Sequence, residues 1–225
     1  MRRLKDEKWD KIKSENLTND LVISSSCDLK TIVFDDVSLS FGRRDLFKNI
    51  SLNLRSGKII GVIGANGAGK STFLKLAGKI IRPDSGAVKL LDGKTIAAVA
   101  PEMKIYDNLT AAENLFFFAK LRGKTLTAEN ILALGERVGL DLKTFGNTRA
   151  ENFSTGMRQR LKFAILLSVD ADIWLLDEPT ANLDGDGREK FFHELRGAKT
   201  DKIILLATND KAEEKICDEI ISLPL

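Results

Sequence analysis

One glycine-rich stretch of the sequence has the residue types and spacing of a phosphate-binding loop. It reads Gly64-Ala65-Asn66-Gly67-Ala68-Gly69-Lys70-Ser71, and it lies between an apolar run, Ile59–Ile63, and a helical stretch that ends near Gly78. Glycines let successive backbone N–H groups turn towards phosphate oxygens, and a helix N-terminus adds the positive end of its dipole. The pattern predicts a nucleotide site, which kinases, GTPases, motors and transporters share.

Two side chains of this loop have distinct expected roles. Lys70 is expected to bridge the β- and γ-phosphates, and the Ser71 hydroxyl is expected to ligate Mg²⁺. The other phosphate contacts are expected from Gly64, Asn66, Gly67, Gly69 and Thr72. The alternative is a chance glycine-rich turn, which the flanking strand and helix disfavour.

A second candidate for chemistry is the acidic pair Asp177-Glu178, which follows the apolar strand Ile173–Leu176. An acid at the carboxyl end of a parallel strand beside the loop strand points into the phosphate crevice. We expect Asp177 to hold Mg²⁺ through its water shell and Glu178 to act as a general base on water. The alternative for both acids is an ordinary helix-capping or loop pair.

The elements that must position these residues follow from hydrophobic patterning. Buried apolar runs alternate with helical stretches, which predicts an α/β fold with a parallel sheet. Strands are expected at Thr31–Phe34, Val37–Phe41, Ile50–Leu54, Ile59–Ile63, 87–91, 95–99, Ile173–Leu176, Lys202–Thr208 and Ile220–Leu223. Helices are expected from Lys70 to Gly78, within 109–143 with ends at Gly123 and Gly139, and at Gly156–Ser168, Gly187–Leu195 and Lys211–Ile216.

Composition narrows the functional classes. The 225 residues include 35 Lys plus Arg and 32 Asp plus Glu, so the net charge of +3 does not suggest a nucleic-acid partner. Charged residues make up 30% and hydrophobic ones 43%, which excludes a disordered or membrane-spanning chain. The two cysteines, Cys27 and Cys217, are too few for a disulfide framework. His193 is the one imidazole, and it is expected in a helix away from the site.

Two further motifs resemble those of ABC-type ATPases. Phe153-Ser154-Thr155-Gly156-Met157, followed by Arg158-Gln159-Arg160, resembles their signature sequence. Asp177-Glu178-Pro179-Thr180-Ala181-Asn182-Leu183-Asp184 resembles their second acidic motif running into the D-loop. The resemblance covers roughly residues 30–223. It implies a P-loop NTPase core with a parallel sheet, an N-terminal antiparallel β subdomain and an inserted α-helical subdomain at about 103–168.

The resemblance also implies how ATP is bound. Ser154, Gly156 and Met157 would close over the ATP of a second ATPase subunit in a head-to-tail dimer, and Asp184 would lie at the same seam. The alternative for Asp184 is a helix N-cap. Phe41 stands where the family stacks an aromatic ring on adenine, and its alternative is a core phenylalanine on a strand.

The sequence departs from the family at two positions. Glu102 stands where the family has a glutamine that ligates Mg²⁺ and the attacking water, so it keeps an oxygen ligand but adds negative charge. Asn209 stands where the family has a histidine that touches the γ-phosphate. Its amide donates a hydrogen bond but cannot carry a positive charge or act as an acid–base group near neutral pH. We expect hydrolysis to persist but to be slow, because Lys70, Ser71, Asp177 and Glu178 are present.

The resemblance implies the ATP-hydrolysing subunit of an exporter, similar to ABC-2-type or haem-exporter-like ATPases, cytoplasmic and peripheral on the inner face of the membrane. An integral-membrane transporter subunit would be a separate chain, docked in a groove lined by Glu102, Met103, Tyr106 and Leu115–Phe118. A nucleotide-gated module with little turnover and a soluble non-transport ATPase remain alternatives. Residues 30–225 form the expected ATPase domain. Residues 1–29 form an N-terminal extension, whose tail at 1–13 is either solvated or a docking helix with Trp9 and Ile12 on one face.

Overall fold

The structure, a computed structural model, describes residues 31–42, 44–90 and 93–224. The expected N-terminal extension, including its tail at 1–13, lies outside these residues. None of the helices in the described ranges combines the length and apolar character needed to cross a membrane.

A five-stranded parallel sheet forms the centre of the molecule, with the order β5-β6-β7-β3-β8. Its strands are β3 (Ile59–Ile63), β5 (Ile96–Val99), β6 (Ile173–Asp177), β7 (Ile203–Thr208) and β8 (Glu219–Ser222). Every residue of β6 and β7 is buried, as expected of continuous apolar strands covered on both faces. The expected parallel sheet is therefore confirmed. The expectation that the acidic strand β6 lies directly beside the loop strand β3 was wrong, because β7 is inserted between them.

A separate three-stranded antiparallel sheet has the order β2-β1-β4, with β1 (Thr31–Phe41), β2 (Arg44–Arg55) and β4 (Ser85–Leu90). The prediction of two strands, Thr31–Phe34 and Val37–Phe41, was wrong, because one strand runs through both. The pairing of β1 shifts register between Phe34 and Val37, and Asp36 has a φ of 51°. A bulge inserts residues that break the alternation of side chains, so a continuous strand has the sequence pattern of two.

Helices pack on both faces of the parallel sheet. They are α1 (Lys70–Ala77), α2 (Ala111–Leu121), α3 (Ala128–Val138), α4 (Leu142–Phe145), α5 (Thr155–Val169), α6 (Gly185–Ala198) and α7 (Lys211–Glu214). Capping boxes at Thr110 and Thr127 start α2 and α3, and Gly139 ends α3 in the left-handed conformation. The helical segment predicted over 109–143 is thus divided near Gly123 and Gly139, as expected. The short helix α4 follows, with Asp141 as its N-cap.

The hydrophobic core has two parts, one on each side of the parallel sheet. One part contains residues of α2, α3, α5 and α6. The other joins the antiparallel sheet to α1, where the rings of Phe34 and Phe73 stack with centroids 4.9 Å apart. Leu115 belongs to the first part and is fully buried. The prediction that Leu115 lines an exposed groove was therefore wrong, because that face of α2 packs against α5.

Asp170, which ends α5, is expected to stabilise the fold in a pH-dependent way. Its carboxylate contacts Lys202 at 2.8 Å and Lys124 at 2.9 Å, and hydrogen bonds from Lys202 and then Lys124 lower the pKa of Asp170 below its ordinary 3.8. The stabilisation is complete above the unfolded-state pKa and is lost as pH falls through the lowered folded-state value. Asp170→Asn should lower the free energy of unfolding by about 0.5–1 kcal/mol at pH 7, a small effect because the carboxylate is well exposed.

Urea unfolding at a series of pH values measures this difference, which should shrink as the pH falls below about 3.8. Asparagine also tolerates the left-handed backbone at position 170, where φ is 46°, so the substitution tests the charge. Asp201→Asn, at an exposed aspartate in a nearby turn, is the control. Equal stability of Asp170→Asn and the native chain at pH 7 would contradict the expectation.

Candidate functional site

The phosphate loop joins β3 to α1 in the predicted position. Gly64 has a φ of 158°, and a Cβ there would lie 2.8 Å from the carbonyl oxygen of Leu223, so no larger residue fits. Gly69 precedes α1 with a φ of 102°, in the left-handed range that favours glycine. These two glycines let the chain turn from the buried strand straight into the helix, which directs backbone N–H groups towards the space above the loop.

The Lys70 side chain lies inside the loop and is only 7% exposed. Its Nζ donates to the carbonyl oxygens of Gly64 at 3.0 Å and Ala65 at 3.3 Å, and to Oδ1 of Asn209 at 2.9 Å. A buried ammonium group surrounded by the ends of the loop is well placed to attract phosphate oxygens. The structure thus brings together two predicted catalytic residues, Lys70 and Asn209, that are far apart in the sequence.

Asn209 is placed by β7, which pairs with β3 so that Ile63 stands beside Thr208. While its Oδ1 accepts from Lys70, its Nδ2 donates to Oδ1 of Asn66 in the loop. The amide therefore connects the end of β7 to two side chains of the phosphate loop. An asparagine amide offers this acceptor and donor at any pH near neutrality, because the amide does not titrate there.

The acids lie at the end of the neighbouring strand β6. Asp177 is 7% exposed; burial raises its pKa, the Glu102 and Glu178 carboxylates add to the rise, and Ser71 and Lys70 oppose it. A buried carboxylate beside a serine hydroxyl offers the hard oxygen ligands that Mg²⁺ prefers. In the described part of the chain no three His, Cys, Asp or Glu side chains form a metal cluster.

Glu178 follows Asp177 in a strained backbone conformation. Its φ is 47°, in a region that non-glycine residues seldom adopt. Its N–H donates to the carbonyl oxygen of Ala207 at 2.9 Å, which holds the turn against β7, while its side chain is exposed. The strain thus turns the Glu178 carboxylate out of the strand and into the cleft above the loop.

A cleft of about 460 Å³ joins these groups. Its lining comprises Phe41, Arg44, Leu46, Asn66, Gly67, Gly69, Lys70, Ser71, Thr72, Asp177 and Glu178. Phe41 is 61% exposed, so its alternative as a core residue is excluded. Sequence reasoning missed Arg44 and Leu46, because alternation of buried and exposed side chains is interrupted within β2, where Asn49 has a φ of 51°.

Glu102 lies apart from this cleft. It lines a neighbouring cleft with Glu178, and its Oε1 contacts Nζ of Lys75 on α1 at 2.8 Å. The hydrogen bond from Lys75 is the main cause that lowers the pKa of Glu102. Lys162 supports the same segment by donating to the carbonyl oxygens of Ala100 and Pro101, each at 3.1 Å. The predicted metal ligand is therefore paired with a lysine, although its charge is still felt at Asp177.

The signature residues form a second surface, outside the phosphate cleft. Ser154 caps α5, where its Oγ accepts from the N–H of Met157 at 3.2 Å, and a Cβ on Gly156 would lie 3.0 Å from the carbonyl oxygen of Asn182. Asp184 caps α6 by accepting a hydrogen bond from the Gly187 N–H at 2.8 Å. The alternative predicted for Asp184, a helix N-cap, is therefore present in the structure. These three predicted binding residues, with Met157, therefore belong to one surface, and none of them lines the phosphate cleft.

An aromatic cluster lies beside the cleft that holds Glu102. The ring of Tyr106 meets that of Phe117 edge to face, with centroids 4.7 Å apart, and Phe117 meets Phe118 in the same way at 5.4 Å. Phe116 points to solvent and is 43% exposed, and Tyr106 is 49% exposed. The expectation that at least one phenylalanine of this triplet faces outwards is confirmed.

Comparisons with known proteins agree with this geometry. The family model described as "ABC transporter" matches residues 47–181, more than half of the chain. The ABC transporter ATP-binding protein NatA of Bacillus subtilis is 32% identical over 194 residues, which cover 78% of this chain and 77% of NatA. The organic anion transporter ABCA8B of Mus musculus is 33% identical over 186 residues, and this chain spans only 11% of its length.

Solved structures show the same fold. The dimeric structure of MJ0796, a bacterial ABC transporter cassette, is 25% identical, with a TM-score of 0.74 over 85% of this chain and 94% of that one. The predicted family and the predicted α/β fold are confirmed by these matches. The individual site residues and the ABC-2-type detail stay predictions.

Phe41 is expected to contribute to nucleotide affinity by stacking on the base. Phe41→Ala should weaken ATP binding by roughly tenfold, because base–aromatic stacking is worth about 1–3 kcal/mol. Titration with a fluorescent ATP analogue measures the dissociation constant. Ile80→Ala, at a residue that is 63% exposed and outside the cleft lining, is the matched control. An unchanged affinity in Phe41→Ala would remove this residue from the site.

Proposed function

Because this chain belongs to the ABC transporter family of ATPases, we propose that it is the ATP-hydrolysing subunit of an exporter, working with a separate integral-membrane subunit. The observation that carries the proposal is the convergence of Lys70, Asp177, Glu178 and Asn209 on one edge of the sheet. Two relatives have names in keeping with export. LnrL of Bacillus subtilis is named a linearmycin resistance ATP-binding protein, and SrtF of Streptococcus pyogenes a lantibiotic transport ATP-binding protein.

The proposed chemistry assigns one task to each group. The loop N–H groups and Lys70 hold the phosphates of ATP, and Ser71 and Asp177 would hold Mg²⁺, which neutralises charge between the phosphate oxygens. Glu178 accepts a proton from the attacking water, and the Asn209 amide donates to the γ-phosphate. ATP and water then become ADP and inorganic phosphate.

Slow turnover follows from Asn209 in this proposal. His193 is exposed on α6 and lines a different cleft, so it supplies no imidazole at the site. The Asn209 amide neither titrates nor carries positive charge near neutral pH, so it stabilises charge at the γ-phosphate less than an imidazolium would. The nucleotide-gated module with little turnover is the second candidate, favoured by Asn209 and by the Lys75 contact that holds Glu102.

Dimer closure completes the proposed site. Ser154, Gly156 and Met157 do not line the cleft at the chain's own phosphate loop, so in this proposal they meet ATP held by a second subunit. The helix start at Ser154 offers backbone N–H groups and the positive end of the α5 dipole to phosphate. Asp184 is 70% exposed at its side chain and stands next to this surface. MJ0796, a cassette of the same fold, has been solved as a dimer.

The proposed membrane subunit docks beside the Glu102 segment. The cleft there has a volume of about 570 Å³ and is bordered by Met103 and Ile105, and the exposed rings of Tyr106 and Phe116 lie near the same segment. Apolar side chains next to charged ones suit an amphipathic helix of a partner. In this arrangement the chain is peripheral on the cytoplasmic face of the membrane, where ATP is available.

Glu178→Gln tests the proposed general base. Loss of the carboxylate should lower kcat by about 10²–10⁴-fold, while ATP binding stays close to that of the native chain. Phosphate release from the purified ATPase, alone and with its membrane subunit, measures kcat. A native chain that hydrolyses ATP no faster than Glu178→Gln, with that subunit present, would support the non-hydrolysing module instead.

ATP-dependent dimer formation is a separate prediction. In the Glu178→Gln background, ATP should convert monomer to dimer, as measured by light scattering after gel filtration. Ser154→Asp should abolish the dimer, because aspartate still caps α5 but repels phosphate. Ser154→Asn, which keeps the cap without the charge, should retain most of it. Equal dimerisation of the two variants would exclude the signature surface as a phosphate site.

A further inference from the structure

A buried carboxylate lies just behind the catalytic edge of the sheet. Glu213, on the short helix α7, is 1% exposed. Its Oε1 accepts two hydrogen bonds from Thr180, one from the backbone N–H at 3.0 Å and one from the side-chain hydroxyl. Thr180 is itself 1% exposed and follows Glu178 by two residues.

Burying the Glu213 carboxylate is expected to lower the free energy of unfolding. Its Oε2 is buried and has no hydrogen-bond partner among the described residues. Burial raises the pKa of Glu213, with the hydrogen bond from Thr180 acting in the opposite direction. An apolar side chain of similar size would avoid this desolvation penalty. A buried polar group that is left half satisfied calls for a reason other than stability.

Glu213 is also the means by which α7 is anchored. Of the four residues in α7, Lys211–Glu214, it alone is buried. An apolar anchor would hold the helix by contacts that have no preferred direction, whereas hydrogen bonds fix distance and orientation. The position of α7, and of the loop before it, is therefore fixed relative to the backbone at Thr180.

The two segments joined in this way carry the proposed catalytic groups. Asn209 precedes Glu213 by four residues, and Glu178 precedes Thr180 by two. The Asn209 loop has a second contact, because Arg188 of α6 pairs with Asp210 at 2.7 Å. A cleft of about 340 Å³ lies between the segments and is lined by Glu178, Thr180, Asn209 and Glu213 among others.

We propose that Glu213 is a positioning residue for hydrolysis, which holds the Glu178 turn and the Asn209 loop at a fixed separation through its bonds to Thr180. The proposal rests on the roles proposed above for Glu178 and Asn209. Glu213 does not line the phosphate cleft; it acts by keeping the base and the γ-phosphate contact in register, in addition to the backbone bond from Glu178 to Ala207.

Three substitutions separate positioning from stability. Glu213→Met fills the same volume with an apolar group, so the chain should keep its Tm or gain, yet kcat should fall about tenfold. The KM for ATP should stay within twofold, since the phosphate loop is untouched. Glu213→Gln retains an oxygen acceptor for Thr180 and should restore kcat to within about threefold of the native chain. Glu214→Met, at the exposed neighbour, is the control.

Thr180→Val removes the hydroxyl bond and leaves the backbone bond in place. It should lower kcat less than Glu213→Met does, and the double variant should be no slower than Glu213→Met alone, since both act through one contact. Each kcat is calculated per nucleotide-binding site, so that misfolded protein does not lower the measured value.

Three results would overturn the proposal: native kcat in Glu213→Met, a fall in kcat matched by loss of binding sites or Tm, or Glu213→Gln as slow as Glu213→Met. Glu178→Gln is run alongside. If it keeps native turnover, the assigned base is wrong whatever Glu213 does; if it loses turnover while Glu213→Met does not, the inference about Glu213 alone is wrong.

Discussion

The parallel register of three neighbouring strands is the constraint on which the site depends. β3, β6 and β7 stand side by side, so that their carboxyl ends deliver the phosphate loop, the acidic pair and Asn209 to one edge. Their side chains are buried on both faces, which leaves little freedom for a strand to slip. The contact between Lys70 and Asn209 is a consequence of that register.

A second layer of polar contacts extends this order beyond the sheet. Gln159 of α5 donates to the carbonyl oxygen of Pro179, and Arg160 of the same helix pairs with Asp184. Arg160 also donates to the carbonyl oxygens at the end of α3. Side chains next to the signature turn therefore reach both the segment after Glu178 and the helical region. The surface proposed to meet a second subunit is thus connected to the segment that follows the base.

Most of the site was predictable because its motifs are local. The strand, glycine loop and helix around Lys70 form one continuous stretch, and the Asp177-Glu178 pair follows its strand directly, so spacing alone predicted where both would lie. Glu102 was harder to place. Its sequence position indicated a metal ligand, but Lys75 comes from a different element, and only packing brings the two together.

The sequence by itself determined the alternation of strands and helices, through hydrophobic periodicity, and the residue types that can bind phosphate, through local motifs. The resemblance of those motifs to known ones indicated the family. The tertiary structure alone decided that β1 is one bulged strand, that Leu115 is core and Phe41 exposed, and that Glu213 meets Thr180. Each of those facts depends on groups that are distant in sequence. Burial and hydrogen bonding are settled by which surfaces meet, and one-dimensional patterning does not specify that.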